Sequence, residues 1–170
     1  DVLVRATTAA LLTSHGLRED VEVILHLGGG PGPARRLRLN GATLRGLHAD
    51  ERSAAGMLGK ALLKPQPPRG QWREVTPGLD ESGGALADTL REWSESTVFV
   101  LDADAPSFEG MLAEQPDLVE GDLGFVLSDD KPLTDADLGD HTVDRCSLGD
   151  RWLQGHAAVH IVHWLLDRQA

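Results

Sequence analysis

The sequence predicts an α/β domain built on a mostly parallel sheet with helices on both faces. Three observations carry that expectation. The segments 97–102 (TVFVLD) and 122–129 (DLGFVLSD) are short, apolar and followed by polar loops, as strands buried on both sides are. Amphipathic stretches of helical period surround them, at 2–15, 48–63, 85–93 and 152–168. Strands that alternate with helices are the pattern of parallel sheets closed by crossovers. The 170 residues suit a single domain over 1–170, and 41% of them are hydrophobic, enough for a sizeable core.

Each element has its own signal. Residues 2–15 (VLVRATTAALLTSH) read as a helix closed near Gly16. Residues 21–27 (VEVILHL) alternate and then run apolar, as a half-buried strand does, until GGGPGP at 28–33 breaks them. A short strand at 36–40 (RLRLN) runs into the turn pair Asn40-Gly41, so 21–40 is expected to form a hairpin with a glycine-rich loop. The helix at 48–63 takes Asp50 as its N-cap and is stopped by KPQPPRG at 64–70. TPGLDESGG at 76–84 reads as a loop, and 85–93 as a helix. Residues 103–121 read as loop with one helical turn, and a short helix is expected after Thr134. DRCSL at 144–148 is a third strand candidate, and 152–168 is the longest helix. Parallel sheets bind ligands beyond the C-terminal ends of their strands, which directs attention to loops 102–106, 128–133 and 148–155.

Charge and composition narrow the function. The formal charge of −11 comes from 27 acidic residues against 16 basic ones, of which only Lys60, Lys64 and Lys131 are lysines. Such a chain is heavily hydrated and is no generic nucleic-acid binder, because phosphate contacts need neutralising cations. A local basic patch remains open at 35–45 (RRLRLNGATLR), followed by Arg52; the plain alternative is an amphipathic strand with its arginines on the wet face. The single cysteine, Cys146, excludes an internal disulfide and a cysteine-rich zinc site, and suits a reducing compartment. No apolar run is long enough to span a membrane, and no signal peptide is recognisable. The chain opens on Asp1 rather than Met, which suggests further residues upstream.

Several familiar chemistries lack their residues. HLGGGPG at 26–32 has neither GxGxxG spacing nor GK[ST], and a strand follows it instead of a helix, so a mobile hairpin loop is the better reading. His156, His160 and His163 share one helical face, but HExxH is absent and no metal is expected. There is no GxSxG or Ser–His–Asp order to support covalent hydrolysis. Asp129 and Asp130 end a buried strand in FVLSDD, where they could accept hydrogen bonds from a sugar or an amine, or simply form a solvated turn.

Five segments in order carry a resemblance. They are DVLVRATTAALLTSHGLREDVEV, LRGLHADERSAAGMLGKAL, TPGL at 76–79, FVLSDD, and CSLGDRWLQGHAAVHIVHWLLD at 146–167. Together they resemble the archaeal tRNA pseudouridine-54 N1-methyltransferases of the SPOUT superfamily, over nearly the whole chain. The resemblance implies a SPOUT-type fold with a C-terminal trefoil knot, a first strand upstream of residue 1, a homodimer and a cytoplasmic enzyme. It implies S-adenosylmethionine as cofactor and tRNA as substrate and partner. Cofactor contacts are then expected from Leu101, Ser128, Leu148, Gly149, Asp150, Arg151, Trp152 and Leu153, and from Ala158 on the last helix. Asp129 and His156 become candidates to take or stabilise the proton that leaves N1. Arg35, Arg36, Arg38 and Arg52 are candidates for RNA phosphates, and Thr76 and Gly78 for the substrate mouth.

The sequence departs from the family at three points. Ser128 stands where a glycine is usual, Ala158 where members carry a cysteine, and the acidic LDESGG where a basic stretch follows Thr-Pro-Gly. Two further readings follow from these departures. One is a SPOUT-type methyltransferase acting on another RNA nucleotide, and the other is an inactive module that keeps the knot and the dimer. An oxidoreductase of Rossmann type lacks its fingerprint here.

Overall fold

In the first half of the chain, two hairpins make an antiparallel sheet. In the computed structural model, which describes residues 1–170 apart from positions 31, 129, 130 and 170, β1 (Glu22–Leu27) pairs antiparallel with β2 (Arg35–Asn40). The register sets Leu25 opposite Leu37 and Val23 opposite Leu39, which places the alternating apolar side chains on one face. The expected hairpin is thus present. The Asn40 side chain accepts the Ala42 amide at 3.0 Å, and Gly41 passes so close to the Arg18 carbonyl that a Cβ would lie 1.9 Å from it.

The segment read as a loop is part of this sheet. β3 (Arg73–Thr76) and β4 (Leu79–Gly83) form a second hairpin, and β4 pairs with β2, giving the order β1-β2-β4-β3. Its tight turn depends on Gly78, which has φ +77° and a virtual Cβ 2.3 Å from the Leu44 backbone. The charges that disguised the strand are neutralised inside the protein. Glu81 is 1% exposed; it accepts from Arg35 Nη1 at 3.2 Å and from Arg73 Nε at 3.0 Å. Asp80 accepts from Arg38 Nη2 at 2.8 Å.

The second half forms the parallel sheet that the sequence predicts. β5 (Thr97–Leu101) lies between β6 (Leu123–Val126) and β7 (Asp144–Cys146), parallel to both. Val98, Val100 and Val126 face α3 (Leu86–Glu92) and the one-turn α5 (Asp135–Leu138). Phe99, Phe125 and Cys146 face α4 (Phe108–Glu114) and α6 (Gly155–Asp167). Helices therefore cover both faces of this sheet. Phe99, Phe108 and Phe125 meet with ring centroids 5.1 to 5.9 Å apart, two of the contacts being edge-to-face. Cys146 is fully buried, and burial pushes its thiol up to about 12, so it stays a protonated core side chain. The single mostly parallel sheet is corrected accordingly. Among the described residues there are two sheets, and the four-stranded one is antiparallel throughout: β1–β2 and β3–β4 are hairpins too short for a crossover, and β4 returns antiparallel to β2 after α2 and β3.

Three helices complete the frame. α1 (Val2–Leu11) ends earlier than its pattern suggests, because the Thr13 hydroxyl and Gly16 exchange hydrogen bonds at 3.1 Å and hold a turn. α2 (Glu51–Ala61) begins as expected, with the Asp50 carboxylate accepting the Ser53 amide at 2.8 Å. Both contribute to the core over β1, β2 and β4. α6 packs along α1, and Arg18 clasps Asp167 with two hydrogen bonds of 2.8 and 2.6 Å. Among the described residues no helix is long and apolar enough to cross a membrane.

Candidate active site

The C-terminal ends of β5 and β7 are drawn together by backbone bonds. The Asp102 amide donates to the Cys146 carbonyl at 3.0 Å, and the Ser147 amide donates to the Pro106 carbonyl at 2.8 Å. The Ser147 carbonyl in turn accepts the Phe108 amide at 2.9 Å, so the start of α4 is fixed to the end of β7. The Ser147 hydroxyl accepts the Gly149 amide at 2.9 Å and donates to the Gly149 carbonyl at 3.1 Å. These contacts hold the loop 147–154 at its first turn, and α6 holds it at the other end.

An open cleft of about 490 Å³, counted out to its mouth, lies between these strand ends and α6. It lies where parallel sheets bind ligands. Leu101, Asp102 and Ala103 line it from β5, Leu127 and Ser128 from β6, and Leu148, Gly149, Arg151, Trp152 and Leu153 from β7. Gly155 and Ala158 close it from α6. No side chain caps α6: the Gln154 carbonyl accepts the amides of Ala157 and Ala158, while those of Gly155 and His156 have no partner among the described residues. The cleft thus has apolar walls of Leu101, Leu148, Leu153 and Ala158, and the positive end of a helix at one side.

Of the residues named for the cofactor, the structure brings together Leu101, Ser128, Leu148, Gly149, Arg151, Trp152, Leu153 and Ala158. Asp150 is exposed and does not line the cleft. Sequence reasoning missed Asp102, Ala103, Leu127 and Gly155, although the first two belong to the loop 102–106 that follows a predicted parallel strand. Asp102 is the polar group there. Its Oδ2 accepts from Arg145 Nη1 at 3.0 Å and its Oδ1 from the Asp104 amide at 3.1 Å. Asp129 lies outside the described residues. His156 is not in the lining, since successive helical residues turn by about 100° and it points away from the side that Gly155 and Ala158 present.

The substrate candidates all lie in the antiparallel half, and none lines the cleft. Arg36 is corrected outright. It is fully buried, stacks at 4.6 Å on Trp72, and donates to Thr89 at 3.0 Å and Glu92 at 2.8 Å, so it joins β2 to α3 and cannot reach a phosphate. Arg35 is consumed by the carbonyls of Ala61 and Lys64 as well as by Glu81, and Arg38 by Asp80 beside Trp72. The strand that looked like a basic patch therefore spends these three arginines inside the fold. Arg52 remains exposed on α2. Thr76 ends β3 with its hydroxyl buried and without a partner among the described residues, and Gly78 makes the turn beside Leu44. Among the described residues no group of three or more His, Cys, Asp or Glu could hold a metal ion.

A cleft with apolar walls beyond parallel strands, closed by a C-terminal helix, defines a small-molecule-binding α/β domain, and comparison with known proteins places it more closely. The family whose model is described as "Putative SAM-dependent RNA methyltransferase" matches residues 1–170, and the chain belongs to that family. Two archaeal relatives, each named tRNA (pseudouridine(54)-N(1))-methyltransferase, refine the placement. The protein of Methanospirillum hungatei is 33% identical over 99% of this chain and 82% of its own length. That of Haloferax volcanii is 35% identical over 98% of this chain and 82% of its own. In fold, the chain is similar to the crystal structure of Archaeoglobus fulgidus Nep1 bound to S-adenosylhomocysteine. The TM-score is 0.66 at 19% identity, covering 99% of this chain and 70% of that one.

Proposed function

We propose that this chain methylates N1 of pseudouridine 54 in tRNA, with S-adenosylmethionine as methyl donor. The observation that carries the reading is the convergence of three strand ends and the α6 N-terminus on one cleft. Its residues fit that donor. Leu101, Leu148 and Leu153 offer apolar surface for an adenine ring, with loop amides beside them to read its edge. The free amides of Gly155 and His156 suit a carboxylate at the helix N-terminus. The donor supplies an electrophilic methyl group, and the chain supplies position and dryness. The main chain of 148–153 would hold the cofactor, and Ala158 would leave room for it where a larger side chain would intrude.

The acceptor nitrogen must lose a proton. Asp129, one residue beyond Ser128 of the cleft wall, is the carboxylate assigned to receive it; His156, the other candidate, points away from the cleft. Asp80 and Glu81, whose acidity weighed against an RNA substrate, are paired within the sheet and do not count against it. Of the four arginines considered for phosphates, Arg52 is the exposed cation that remains. The same reading includes a trefoil knot around the cleft, a homodimer and a cytoplasmic location. The test is incubation with S-adenosylmethionine and tRNA transcripts with or without pseudouridine at position 54, followed by nucleoside analysis. Formation of 1-methylpseudouridine only in the modified transcript is expected, and its loss in Asp129→Asn supports the carboxylate. A protein that binds S-adenosylmethionine and methylates neither transcript refutes the reading.

A further inference from the structure

Trp152 is 65% exposed, although it lines the cleft. A large aromatic side chain in water leaves much of its burial energy unused. The other strongly exposed tryptophan, Trp164 at 56%, has Arg168 stacked on its ring at 4.4 Å. Trp152 has no such partner among the described residues. Nor does it hang on a loose tail, because its loop is fixed by the Ser147 bonds at one end and by α6 at the other.

We infer that Trp152 is the stacking surface for the nucleobase that enters the cleft, with exposed Arg151 beside it facing the RNA backbone. This rests on the methyltransferase reading and adds a residue for the RNA. A base that reaches a methyl donor inside the cleft must leave its own stack, and an aromatic face at the mouth replaces the stacking lost. The charge balance points the same way. The formal charge is −11, and Arg35, Arg36 and Arg38 are held inside the sheet, so that strand offers no cation to phosphates. Stacking on a π face does not depend on counterions, so it supplies affinity that this acidic surface otherwise lacks.

The test compares Trp152→Phe with Trp152→Leu in the full chain. The probe is an RNA stem-loop with one pseudouridine in its loop, titrated in the presence of S-adenosylhomocysteine and then used as substrate. Leucine keeps apolar bulk but has no ring. Trp152→Leu is expected to lower RNA affinity and kcat/KM by roughly 5- to 150-fold, the span measured for loss of one stacked base. Trp152→Phe retains most of both. In both variants sedimentation stays as in wild type, and S-adenosylmethionine affinity falls less than RNA affinity does. Equal behaviour of Phe and Leu overturns the inference. So does a parallel loss of cofactor affinity, which makes Trp152 a cofactor wall, or a change in association state, which makes it a subunit contact. Wild type that binds no RNA overturns it as well. A wild type that methylates nothing, yet binds RNA only with an aromatic ring at 152, sinks the functional reading and keeps the stacking surface.

Discussion

Replacing His26 with glutamine should flatten the acid limb of the stability profile. His26 lies on β1 opposite Arg36, largely buried, with Nδ1 lacking a partner among the described residues. Burial and the Arg36 guanidinium bring its pKa from the ordinary 6.5 down to about 4, against the weaker pull of Glu92 and Asp88. Between these values the unfolded chain binds a proton that the folded chain refuses. Stability from this group is therefore complete above pH 6.5 and is lost as pH falls towards 4. The loss is about 2 kcal/mol by pH 5 and about 3 kcal/mol by pH 4, since one proton bound only by the unfolded chain costs about 1.4 kcal/mol per pH unit. Burial lowers His163 in the same sense, but His163 is present in both proteins and cancels from their difference. Urea unfolding of wild type and His26→Gln at several pH values from 7 to 4 reads that difference directly. Parallel curves for the two proteins would show that His26 accepts its proton in the folded state, and the reasoning from its burial would fail.

Two further substitutions separate folding from binding. Gly78→Ala forces a side chain into a positive-φ turn with its Cβ 2.3 Å from the Leu44 backbone; a cost of about 2–5 kcal/mol is expected in urea unfolding, with cofactor affinity of the folded fraction unchanged. A fall in RNA turnover without a fall in stability would instead restore Gly78 to the substrate mouth. Ala158→Phe places a ring in the cleft; it should abolish the heat of S-adenosylmethionine binding in calorimetry while costing about 1–3 kcal/mol of stability, and undiminished binding would place the cofactor elsewhere.

The sequence reveals what depends on local pattern. Alternation in VEVILHL and RRLRL marks the β1–β2 hairpin, and short apolar runs mark β5 and β6, because each strand carries its own burial signal. β4 escapes because LDESG carries two acids, and one of them points into the core. Its compensation comes from Arg73 across the hairpin and from Arg35, 46 residues away, and charge pairs between strands leave no periodicity to read. The same long-range pairing hides the fate of Arg35, Arg36 and Arg38, which look like a basic stripe until their acceptors are in place. The cleft is more legible than the sheet, since strand ends in a parallel sheet define its position. Its individual members are less so: Asp102, Ala103 and Gly155 sit in loops that the strand ends mark, whereas Leu127 becomes identifiable only once the end of β6 is placed.

The pairing of α1 with α6 sets an order on the making of this protein. Arg18, in the loop after α1, and Asp167 on α6, which it clasps, stand 149 residues apart in the chain. At about 5–20 residues per second of synthesis, the first helix waits on the order of ten seconds for the partner that covers it. α6, which closes the cleft, emerges after the strands whose ends it covers, so the site forms only once α6 has been made. During that interval the face of α1 that α6 covers is exposed to other unfinished chains, and aggregation competes with folding. Loss of α6 would uncover that face again.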